Sequence, residues 1–93
     1  MRVTARAGTP KHVETKSCSK PNDAKKFLLD RIDRRMKWAL AHNHALHAEL
    51  SAIREEVDRC PVGALKTGEV RSWEGRDDHT GVTFVFEITK EQS

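Results

Sequence analysis

A chain of 93 residues, 37% hydrophobic and 33% charged, predicts one small domain with a thin core. Two cysteines are too few for a disulfide scaffold, and no apolar run approaches the ~18–20 residues that span a bilayer. The first residues lack the apolar stretch of a secretory signal, so the expected setting is a reducing cytoplasm without membrane contact. The net charge of +3 is divided unevenly. Met1 to Lys37 carries eleven basic and four acidic residues, a net +7, whereas Trp38 to Ser93 carries six and ten, a net −4. A basic front and an acidic back suit an anionic partner, or subunits packed head to tail.

Met1 to Ala7 alternates Val3, Ala5 and Ala7 with Arg2, Thr4 and Arg6, the pattern of a short edge strand. Gly8, Thr9 and Pro10 interrupt it, and Lys11 to Thr15 offers a second short strand around Val13. The other reading of residues 1–21 is a mobile basic arm. Ser17 to Pro21 reads as a linker under either view.

Asn22 and Asp23 supply a helix start, and from Asp23 to Arg59 there is neither Gly nor Pro. The expectation over residues 22–60 is one long helix, roughly 55 Å at ~1.5 Å per residue. Its apolar residues keep a heptad register. Leu29, Met36, Asn43, Leu50 and Val57 share one position, and Ile32, Ala39, Leu46, Ile53 and Cys60 the other. This seam predicts a coiled-coil homodimer, with Asn43 pairing across its centre to fix register. A break at Asn43 would give a helical hairpin instead. No other turn residue stands there, so the continuous helix is preferred.

Glu49 and Arg54 occupy flanking positions where they would attract across such a dimer, and Leu28 and Leu40 widen the apolar face. Trp38, Ala41, Ala45, Ala48 and Ala52 mark a second stripe. It suits the hairpin, a second dimer making a tetramer, or simply exposed alanines in a helix. Lys25, Lys26, Arg31, Arg34, Arg35 and Lys37 make the first third of the helix basic, and with the N-terminal arm they form a candidate nucleic-acid surface. His42, His44 and His47 cluster at mid-helix as weak metal candidates, since nothing completes a familiar ligand set. In a dimer, His42 would face His47 of the second copy, an arrangement that protonation would loosen.

Cys60-Pro61-Val62-Gly63-Ala64 resembles the tail of a bacterial ferredoxin cluster motif. That motif needs three further cysteines closely upstream, and they are absent, so the segment reads as a helix stop. Residues 68–90 predict an antiparallel hairpin. Glu69 to Glu74 is its first strand, and Val82 to Thr89 its second, with Val82, Phe84, Phe86 and Ile88 on one face. Asp77, Asp78 and His79 fall in its turn and read as turn chemistry.

The fold expected is α+β: one long central helix, a C-terminal hairpin and an N-terminal edge strand. No phosphate-binding glycine loop and no nucleophile with a base at readable spacing is present, so no enzyme and no cofactor is expected. The leading expectation is a homodimeric regulatory protein that works by protein–protein contact with an unidentified partner. The alternative is a dimeric nucleic-acid-binding regulator using the basic front.

Overall fold

Phe84, Phe86 and Ile88 alternate with Thr83, Val85 and Glu87, and the chain there forms a strand with its apolar side turned into the core. The computed structural model describes residues 2–91. The elements are β1 (Arg2–Thr9), β2 (His12–Cys18), α1 (Pro21–His42), α2 (His44–Arg59), a 3-10 turn (Val62–Ala64), β3 (Val70–Arg76) and β4 (Thr83–Glu91). The strands make one antiparallel sheet in the order β2-β1-β4-β3. The fold is α+β, with the C-terminal hairpin present. No helix is long and apolar enough to cross a membrane among the described residues.

β1 is not an edge strand. It pairs with β2 from Val3↔Cys18 to Thr9↔His12, and with β4 from Arg2↔Glu91 to Gly8↔Val85. The reason lies in Val3, Ala5 and Ala7, all buried. Small side chains at the centre of a sheet let a helix pack close above them, and α1 does so. The outer place falls to β2, whose residues His12 to Ser17 are all exposed. Ser17 and Cys18 belong to this strand rather than to a linker, and Met1 lies outside the described residues.

The long continuous helix is the main correction. Two helices meet at Asn43, an extended residue with φ −157° and ψ 96°. Its backbone N–H donates to the Ala39 carbonyl at 2.7 Å, ending α1. Its side-chain Oδ1 accepts from the Leu46 N–H at 3.1 Å, starting α2. One asparagine is thus the last cap of one helix and the first cap of the next. The arms fold back on each other: Arg54 Nε lies 2.6 Å from Asp33 Oδ1, and Lys25 Nζ donates to the Cys60 carbonyl at 3.3 Å.

Among the described residues no coiled coil is formed. Ile32, Ala39, Asn43, Leu46, Leu50, Ile53 and Val57 of the heptad seam are buried inside it, and Leu29 and Met36 are half-buried. The seam packs between the two arms and the sheet, where Val3, Ala5, Phe86 and Ile88 complete one core. Gly75 lets α2 approach β3 closely, since a Cβ there would sit 3.4 Å from Leu50 Cδ2 and Ile53 Cδ1.

Candidate anion-binding groove

Three arginines and a tryptophan follow one another down one side of α1. Arg31, Arg34, Arg35 and Trp38 are spaced by three and four residues, so the helix sets them in a row. The row overlooks the β1–β2 hairpin. Ala7 and Gly8 form part of the groove between them, with His12 and Glu14 on the β2 side and Phe84 and Phe86 of β4 beneath. Its volume is about 310 Å³. The hairpin can run low here because Gly8 has no side chain. With φ 151°, any Cβ would run into the backbone carbonyl of His12.

The charges are only partly matched. Arg31 Nε lies 2.5 Å from Glu14 Oε2 but has no partner at a hydrogen-bonding angle, and Arg31 Nη1 lies 3.3 Å from Asp30. Arg34 pairs with Asp30 at 3.2 Å on an exposed helix surface, where such pairs contribute little. Arg35 has no carboxylate partner among the described residues. Its guanidinium lies 4.9 Å from the centroid of the Phe84 ring. Trp38 is 44% exposed and lies tilted by 31° against His42, with ring centroids 4.8 Å apart. The groove therefore offers guanidinium groups that can pair with phosphate or carboxylate, beside an indole that can stack on a flat ring.

The six basic residues expected to act together do not all come together. Arg31, Arg34 and Arg35 line the groove, Lys25 is turned to the Cys60 carbonyl, and Lys26 and Lys37 are exposed away from it. His42 and His44 are exposed and His47 is half-buried. Among the described residues, no group of three or more His, Cys, Asp or Glu is placed to hold a metal ion. Cys18 and Cys60 are both buried free thiols. Nothing in the sequence marks Gly8, His12 or Phe84 as groove residues. For Trp38 the signal is its spacing of four and three from Arg34 and Arg35, which sets it in their row as well as in the alanine stripe.

A second polar centre ties the helix break to the hairpin turn. Asn43 Nδ2 donates to Asp77 Oδ1 at 2.8 Å, and the same carboxylate accepts from the His79 N–H at 2.9 Å and Thr80 Oγ1 at 3.0 Å. Asp77 is 2% exposed, while Asp78 and His79 are exposed. Burial pushes the Asp77 carboxyl up, but these hydrogen bonds outweigh it and hold the group below its usual range. Every contact of this carboxylate serves the turn or the cap. Comparison with protein-family models, curated proteins and solved structures finds no match to this chain.

Proposed function

We propose that this chain is a non-enzymatic binding module that takes single-stranded nucleic acid into the groove beside α1. The observation that carries the reading is the convergence of Arg31, Arg34 and Arg35 with the exposed Trp38 on one concave surface. Guanidinium forks suit phosphate oxygens, and an indole gives a base a stacking surface without demanding a particular sequence. The basic half of the chain surrounds this site, which favours capture of a polyanion. The test is fluorescence anisotropy with a labelled oligonucleotide across a salt series. Contacts to three phosphates give a slope of log K against log salt of about −2 for a single strand. Arg34→Glu with Arg35→Glu should abolish binding, and Trp38→Ala should weaken it by roughly 1–3 kcal/mol with little change in salt slope. Salt-independent binding, or none at low salt, would reject the reading.

A second reading is supported by a different observation. Leu40 is 55% exposed on α1, on a different side of the helix from Trp38. A large apolar side chain left in solvent suits contact with a protein partner, the regulatory contact expected first from the sequence. Loss of partner capture in Leu40→Glu with oligonucleotide binding intact would favour it.

A further inference from the structure

We propose that two copies of this chain pair through β2, edge to edge and antiparallel, to make an eight-stranded sheet. β2 is the outermost strand on its side, and its residues His12 to Ser17 are exposed. Its pairing with β1 runs unbroken over seven residue pairs, so no bulge twists it away, and it contains no proline. Such an edge presents a row of backbone donors and acceptors to another strand. What selects a second copy is charge. A two-fold axis through Thr15, the midpoint of His12–Cys18, engages the whole strand. It sets Glu14 opposite Lys16 of the second copy, twice by symmetry. Both residues point to the helix side of the sheet, because they stand opposite Ala7 and Ala5, so the charges meet on one face.

The other edge lacks this match. Self-pairing of β3 about its midpoint, Trp73, sets Val70 opposite Arg76 and Ser72 opposite Glu74, with no pair of opposite charges. β2 is also the strand that walls the groove. Glu14 lines it and lies 2.5 Å from Arg31. Lys16 of the second copy would draw on the same carboxylate, leaving Arg31 freer for an anion and adding a cation to the rim. This last consequence rests on the groove being an anion site; the pairing does not.

The experiment measures mass by light scattering and sedimentation over a concentration series, on wild type and two charge reversals. Lys16→Glu and Glu14→Lys should each weaken the dimer by about tenfold. An equimolar mixture of the two should dimerise again, because each like-charge contact becomes an ion pair in the heterodimer. Thr15→Cys should cross-link to its own copy on mild oxidation, since directly opposed residues come within disulfide reach, whereas Val13→Cys should not. A wild-type protein that stays monomeric at the highest soluble concentration would overturn the proposal. So would a dimer indifferent to both reversals, or equal cross-linking at Val13 and Thr15. Oligonucleotide binding recorded on the same samples separates failure of the groove reading from failure of the pairing.

Discussion

The side chain of Asn43 satisfies two groups at once, the free N–H of Leu46 in the first turn of α2 through Oδ1 and the buried Asp77 carboxylate through Nδ2. Asn43→Leu would fill the space but remove both contacts. Losing an N-cap costs about 1 kcal/mol, and losing a hydrogen bond to a charged buried group costs about 1.5–3 kcal/mol. Urea unfolding should show a loss of roughly 3 kcal/mol. At the centre of a coiled-coil dimer the same change would have stabilised the assembly, so the sign decides between the two placements. Asp77 carries a pH signature. Its folded carboxyl is held below the unfolded value of about 3.9, so its contribution is complete above that value and is lost as pH falls through the lower folded one. Asp77→Asn should therefore be less stable at neutral pH, with a flatter stability profile between about pH 5 and 2 by circular dichroism. Gly8→Ala should cost more than ~1 kcal/mol, because both its φ and its approach to His12 exclude a side chain.

At the scale of elements, the packing of α2 on β3 turns on Gly75. Gly75→Val would press methyl groups into Leu50 and Ile53, already 3.4 Å from the Cβ position. Overpacking of this kind costs about 1–3 kcal/mol, readable as a lowered thermal midpoint. β4 was legible in the sequence because Phe84, Phe86 and Ile88 alternate without interruption. The two helices were legible as helix, but their division was not. Heptad spacing reports that each arm has an apolar stripe and says nothing of what fills it. The arms share one stripe because both lie on the same sheet, so the register runs through Asn43 unbroken. Asn43 itself carried the signal, as a favoured N-cap, and the absence of glycine nearby outweighed it. The place of β1 was not legible, because its partner β4 lies some eighty residues away in the chain and pairing at that distance leaves no local pattern.

At the scale of the molecule, the two halves of the sequence become two halves in space. The basic half supplies β2, β1 and most of α1, and the acidic half supplies α2, β3 and β4. With the sheet ordered β2-β1-β4-β3, this sets positive charge on one flank and negative charge on the other. A molecule so polarised turns its basic flank toward a polyanion as it approaches. The association rate with an oligonucleotide, measured by stopped flow, should therefore fall as salt rises, and Lys11→Glu with Lys20→Glu should slow it while leaving the Arg–Trp groove in place.

The pairing of β1 with β4 also bears on how the protein is made. Arg2 stands opposite Glu91, so the middle of the sheet joins two strands that are synthesised far apart in time. While the chain is still emerging from the ribosome, β1 and β2 can form their hairpin, but the inner edge of β1 has nothing to pair with. Helix α1 can cover Val3, Ala5 and Ala7 as it emerges, but the backbone groups along that edge stay unpaired until β4 arrives. The nascent protein thus carries an open strand edge from the synthesis of β1 until that of β4, the nine-residue strand that closes it.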